Sequence, residues 1–133
     1  MTRYVVDASV AVEYLMQSPV GAALASTLDS ASIDAPELLD PEVVSALRRH
    51  VNAGLLTDAQ AELLIEDLAS WPINRISHRF LTSSAWKHRQ NVSAYDAMYV
   101  ATAEAVDAPL MTADGKLARA PNLGIAVHYV SLT

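Results

Sequence analysis

The chain has 133 residues, none of them cysteine, with a hydrophobic fraction of 52% and a formal net charge of −6 at pH 7. This length and composition predict one domain over residues 1–133 with a buried core, and they exclude disorder, disulfides, thiolate metal sites and membrane helices of roughly 20 apolar residues. The negative charge has the wrong sign for binding nucleic acid by bulk electrostatics, so a phosphate-bearing partner has to be held locally.

Helices and strands alternate along the whole chain. The predicted elements, in chain order, are a strand at 3–6, helices at 10–16 and 18–28, a strand at 33–36, helices at 40–53 and 57–68, a strand at 73–76, helices at 79–90 and 94–106, a strand at 110–112, a helical turn at 114–119 and a strand at 125–130. Asp40, Thr57 and Ser93 stand at helix starts as residue types that cap free amides. Strands separated by helices imply right-handed crossovers, so we predict an α/β fold with three layers, α/β/α, around a mainly parallel sheet.

Four acidic residues fall where a strand ends or a helix begins. Asp7 follows the first strand, Glu42 lies in a first helical turn, Asp96 comes early in the helix at 94–106, and Asp114 follows the strand at 110–112. In an open parallel sheet these ends meet at one edge, where ligands bind at the switch point. Carboxylates held close together repel one another and take up cations, and oxygen ligands alone select Mg²⁺ or Mn²⁺.

Each acid also has a purely structural explanation. Asp96 suits a capping box with Ser93, Glu42 suits the positive end of the helix dipole, and Asp114 stands in a common turn pair with glycine. Asp7 is the hardest to explain in this way, because it directly follows a buried strand. Four unrelated caps have no reason to occupy four consistent topological positions, so the pattern favours a shared metal site.

Four stretches then resemble the motifs of a known family. VVDASV, PEVVSALRR, SAYDAMYVATAEA and LMTADGKLA look like the four motifs of the PIN-domain nucleases, in their order, and the chain is most similar to the VapC toxins of toxin–antitoxin pairs. The resemblance implies a PIN-like nuclease domain over 1–133 and an endoribonuclease toxin that depends on Mg²⁺ or Mn²⁺. Its acidic positions are matched by four residues: Asp7, Glu42, Asp96 and Asp114.

The resemblance also assigns roles to these residues. Asp7, Asp96 and Asp114 are expected mainly to coordinate metal, and Glu42 to coordinate metal or to orient the attacking water. Ser9 and Thr112 match the supporting hydroxyl positions of the family. Of the remaining residues, Glu13 and Glu104 are weaker acid candidates. Tyr99 is expected in the core or at an interface, and the four histidines are expected to be structural or surface residues.

The positions of basic residues and the family resemblance together predict the binding partners. Arg48, Arg49 and Lys116 lie near the acids in sequence and are predicted to contact the RNA backbone. The family implies a cognate VapB-type antitoxin and a homodimer, and an apolar groove between the helices at 42–53 and 58–68 could accept a helix of the antitoxin. No export signal is visible, so we expect a cytoplasmic protein with no membrane partner.

A second hypothesis belongs to a different class of protein. The chain could be a catalytically silent PIN-like binding module that docks a basic partner through its acidic cluster. Such a module would keep its partner affinity after Asp7→Asn and would show no metal-dependent cleavage.

Overall fold

A computed structural model describes residues 2–132 as five strands and seven α-helices. The strands are β1 (Arg3–Val6), β2 (Ser32–Pro36), β3 (Asn74–Ile76), β4 (Leu110–Thr112) and β5 (Val127–Tyr129). The helices are α1 (Ala8–Met16), α2 (Pro19–Asp29), α3 (Leu39–Asn52), α4 (Asp58–Ser70), α5 (Thr82–Trp86), α6 (Ala94–Val106) and α7 (Gly115–Ala118). A short 3₁₀ helix (His78–Phe80) precedes α5.

All five strands form one parallel sheet in the order β3-β2-β1-β4-β5. The chain winds from β1 outward to β3 and then crosses back to β4 and β5 on the other side of β1. Because such crossovers are right-handed, α1–α4 cover one face of the sheet and α5–α7 cover the other. Val5 and Val6 point to opposite faces and are both fully buried. The predicted three-layer α/β/α fold with a parallel sheet is confirmed.

The helix predicted at 79–90 is wrong in extent. The chain instead forms the 3₁₀ helix, a break at Leu81 and the short α5, and residues 87–92 are turns and bends. His88 lies inside this turn region, where it is buried and its Nε2 is 2.5 Å from Oε1 of Glu104 on α6. This contact joins the turn region to α6 across 16 residues of sequence.

Two helix starts also differ from expectation. Asp7 caps α1 by accepting a hydrogen bond from the Val10 amide, so this helix begins at Ala8 rather than at residue 10. Asp40 was expected to be a cap, but α3 begins one residue earlier without a side-chain cap. The Asp40 carboxylate instead forms a two-pronged ion pair with Arg75, at 2.8 and 3.0 Å. None of the helices within residues 2–132 is long and apolar enough to cross a bilayer.

Candidate active site

The four predicted acids come together at one edge of the sheet. Asp7 and Asp114 follow β1 and β4, the adjacent strands between which the direction of winding reverses, and ligands of open α/β sheets bind outside such a switch point. Glu42 and Asp96 reach the same place from the first turns of α3 and α6. All four line an open cavity of ≈ 430 Å³. Their role in catalysis stays a prediction.

Asp7 is the most firmly held of the four. It is only 6% exposed, and its Oδ1 accepts hydrogen bonds from Ser9 Oγ at 2.6 Å and from the Val10 amide at 3.2 Å. Its Oδ2 accepts a hydrogen bond from Thr112 Oγ1, which in turn accepts one from the Asp114 amide at 3.0 Å. The two predicted supporting hydroxyls, of Ser9 and Thr112, therefore fix this carboxylate in place.

The same hydroxyls connect the ends of two strands. Ser9 Oγ accepts a hydrogen bond from the Ala113 amide at 2.9 Å, across 104 residues of sequence. Asp114 caps α7 and accepts a hydrogen bond from the Lys116 amide at 2.9 Å. The loops after β1 and β4 thus form one hydrogen-bonded unit beneath the cavity.

Burial and neighbouring negative charges disfavour the ionised form of two of the acids, Asp7 and Asp96. Burial raises the pKa of Asp7 above its ordinary 3.8; the hydrogen bonds from Ser9, Thr112 and Val10 oppose this shift, and the charge of Asp96 adds to it. Burial, followed by the charge of Asp114, likewise raises the pKa of Asp96, while Lys116 opposes the shift. None of the ion pairs found among residues 2–132 involves the four acids. This excess of negative charge favours a cation in the cavity.

Tyr99 is buried, as expected of a core residue, but it also contacts one of the four acids, which was not predicted. It is 1% exposed, and its hydroxyl donates a hydrogen bond to Glu42 Oε1 at 2.5 Å. Burial, together with this contact, raises the pKa of Tyr99 far above its usual 10, so the phenol keeps its proton and remains a donor. The only signal in the sequence is that Tyr99 stands three residues after Asp96, on the same side of α6.

The three residues predicted to contact RNA differ in their position relative to the acid cavity. Arg49 lines the cavity on the same helix as Glu42, and its Nη1 donates to Ser45 Oγ at 3.1 Å. Arg48 is exposed and is not among the described residues that line the cavity. Lys116 acts on Asp96 through its charge. Glu13, predicted as a weaker acid candidate, also lines the cavity, as do His50 and Leu132, which were not predicted as site residues.

The carboxylate oxygens of the four acids suit a hard cation, although the side chains stand too far apart to share one. Within residues 2–132, no three acidic or histidine side chains stand close enough to hold one metal ion together. The set nevertheless consists of carboxylate oxygens, the ligands that Mg²⁺ and Mn²⁺ prefer. An ion shared by these acids therefore requires some of the side chains to rotate toward it.

Known proteins resemble the chain over nearly its full length. Residues 4–123 match the PIN domain family. The chain is 40% identical over 132 residues to Ribonuclease VapC1 of Mycobacterium tuberculosis, covering 98% of this chain and 99% of that protein. It is 36% identical over 127 residues to Ribonuclease VapC12 of the same organism, covering 96% of this chain and 98% of that protein. A chain of VapBC2 from Rickettsia felis, crystallised with a DNA fragment from the promoter, superposes with a TM-score of 0.65 at 14% identity, over 96% of this chain and 98% of that chain.

Proposed function

The chain belongs to the PIN-domain family, among the VapC ribonucleases, and on that premise we propose that it is a metal-dependent endoribonuclease acting as the toxin of a toxin–antitoxin pair. The observation that carries the proposal is the meeting of Asp7, Glu42, Asp96 and Asp114 in one cavity at the switch point of the sheet. Nucleophilic side chains are not needed for this reaction, since water can attack the phosphodiester.

The acids divide between holding a cation and handling water. Asp7, Asp96 and Asp114 would hold Mg²⁺ or Mn²⁺. Their mutual repulsion supports this assignment, as does their absence from the ion pairs found in the described part of the chain. A divalent ion bound there supplies charge neutralisation at the phosphate and a lowered pKa for bound water. Because Asp7 is fixed by two hydroxyls, it is the residue around which the other two acids would arrange.

Glu42 and Arg49 would act on the substrate from α3. Glu42 is oriented by the Tyr99 hydroxyl and keeps its second oxygen to align a water for attack on phosphorus. Arg49 lines the same cavity and would contact a phosphate oxygen of the RNA. Arg48 and Lys116, at the margin of the site, would add charge along the RNA backbone.

A cleavage assay on total cellular RNA tests the function directly. Purified protein is incubated with Mg²⁺, with Mn²⁺ or with EDTA, alongside Asp7→Asn. The matched control is Asp107→Asn, because Asp107 is an exposed acid at the opposite end of α6, about 16 Å along the helix from Asp96. We expect metal-dependent cleavage in the parent and in the control, and none in Asp7→Asn. Retained cleavage in Asp7→Asn would contradict the site, and no cleavage in any sample would favour the binding module.

A VapB-type antitoxin is the proposed partner, and the α3–α4 surface is its proposed docking site. Val43 and Leu47 of α3 are buried in the core, but Val44 and Ile65 are exposed and line a cavity of ≈ 470 Å³. We further propose that the protein is a cytoplasmic homodimer. Co-purification with the antitoxin should be lost in Val44→Asp, and sedimentation of the free protein gives its oligomeric state.

A further inference from the structure

One stretch of the chain carries the opposite charge to the rest. Residues 68–95 contain four of the nine Lys and Arg residues and none of the fifteen Asp and Glu residues, although the whole chain has a net charge of −6. Arg75 is occupied by its ion pair with Asp40. Arg79, Lys87 and Arg89 are exposed and take part in none of the ion pairs found among residues 2–132. Three cations are therefore available to an anionic ligand.

Two of these cations are stacked on exposed aromatic rings. The guanidinium carbon of Arg89 lies 4.7 Å from the ring centroid of Trp86, and that of Arg79 lies 5.5 Å from the centroid of Phe80. Arg89 is also held by a hydrogen bond from Nη1 to the Trp86 carbonyl at 3.0 Å. Trp86 nevertheless remains 67% exposed. A large exposed aromatic with an ordered guanidinium offers stacking and charge to the same ligand.

The Trp86 surface and the acid-lined cavity both involve the start of α6. Trp86 and Arg89 line a second cavity, of ≈ 390 Å³, together with Ser93 and Ala94 at the start of α6. Asp96, two residues further along the same helix, lines the acid cavity. Two residues correspond to about 3 Å along a helix but to about 200° around it, so Ala94 and Asp96 lie on opposite sides of α6. A flexible polymer meets both cavities only by passing around the start of α6.

We propose that the Trp86 surface, formed by Trp86, Arg89 and the start of α6, is a binding site for single-stranded RNA next to the scissile phosphate. A base stacks on Trp86 and a phosphate pairs with Arg89. These contacts hold the RNA outside the acid cavity, whose carboxylates repel the RNA phosphates. This inference rests on the proposed function for its ligand. The unpaired cations favour a polyanion over an apolar partner, and a second copy of this chain is the competing occupant.

Binding is measured without cleavage, so that the outcome does not depend on activity. In the Asp7→Asn background with EDTA, the Kd of a fluorescein-labelled single-stranded RNA of about twelve nucleotides is obtained by anisotropy at several salt concentrations. Trp86→Ala should weaken binding about 10-fold with an unchanged salt slope, while Trp86→Phe keeps most of the affinity. Arg89→Gln should weaken binding and reduce the salt slope by about 0.7. Leu63→Ala, which removes an exposed apolar side chain on α4, is the control and should change nothing.

Of the three other outcomes, two refute the binding site and one refutes the proposed function while keeping the site. Equal affinities of Trp86→Ala and its background would refute the site, and cleavage by the parent protein would still leave the proposed function standing. Affinity that falls in Trp86→Ala while the parent cleaves no RNA would keep the binding site and refute the nuclease. Unchanged affinity together with a smaller sedimentation coefficient in Trp86→Ala would show that the surface is an interface between two copies.

Discussion

The hydrogen bond between Tyr99 and Glu42 supports a prediction that separates positioning from folding. Tyr99→Phe deletes one oxygen and leaves the buried ring in place, so the packing around α6 is kept. A hydrogen bond to a charged group contributes about 1.5–3 kcal/mol to stability. Glu42 is half-buried and lines the open cavity, so water can replace the lost donor. We therefore expect the lower end of the range, a loss of about 1.5 kcal/mol in the free energy of unfolding.

The same loss bears on function if Glu42 must hold its position during attack. An interaction of about 1.4 kcal/mol that is required in the transition state corresponds to about a tenfold fall in kcat. Three measurements test this: urea unfolding, the cleavage rate with Mn²⁺, and Mn²⁺ affinity by calorimetry. Tyr95→Phe is the matched control, because Tyr95 lies four residues earlier on α6 and is 65% exposed. Stability, cleavage and Mn²⁺ affinity of Tyr99→Phe that all equal those of Tyr95→Phe would refute the reasoning.

Three further predictions concern the metal, the acids and the packing of α1 against α2. Mn²⁺ should raise the thermal midpoint of the parent but not of Asp7→Asn, since free metal at about 100 times its Kd stabilises the folded state by about 2.7 kcal/mol; equal shifts in both proteins would place the ion elsewhere. The pKa of Asp7 is raised in the folded state, so ionisation of Asp7 lowers the free energy of unfolding. This loss is absent at pH values well below 3.8, grows as the pH rises from 3.8 to the pKa of the folded state, and is constant at higher pH. Because asparagine can still cap α1, the stability of Asp7→Asn relative to the parent should increase with pH through this window, as measured by urea unfolding between about pH 3 and pH 7; a difference independent of pH would contradict the raised pKa. Gly21→Ala would place a Cβ 1.8 Å from the Glu13 carbonyl oxygen, so we expect a loss of about 3 kcal/mol in unfolding free energy, against about 1 kcal/mol for the exposed Ala22→Gly control on the same helix. Similar values for the two variants would show that α1 and α2 can separate without cost.

The sequence alone was enough to place the four acids. Each of them stands at a strand end or in a first helical turn, and such boundaries are read from local signals, namely hydrophobic periodicity, caps and turn residues. The topology of parallel sheets then predicts that these boundaries share one edge. Asp7, Glu42, Asp96 and Asp114 do line one cavity. Family motifs supplied the expected chemistry and the supporting hydroxyls Ser9 and Thr112.

What the tertiary structure decided are contacts between residues far apart in the chain. Tyr99 donates a hydrogen bond to Glu42, 57 residues away in sequence. Asp40 pairs with Arg75, 35 residues away, and does not cap α3 as expected. Within the predicted helix at 79–90 the chain leaves the helix after Trp86, and buried His88 contacts Glu104 on α6. Periodicity and caps report only the nearest few residues, whereas these pairings depend on which elements the folded sheet brings together. For that reason the sequence determined where the acids lie and which hydroxyls hold Asp7, whereas only the fold determined that Tyr99 holds Glu42.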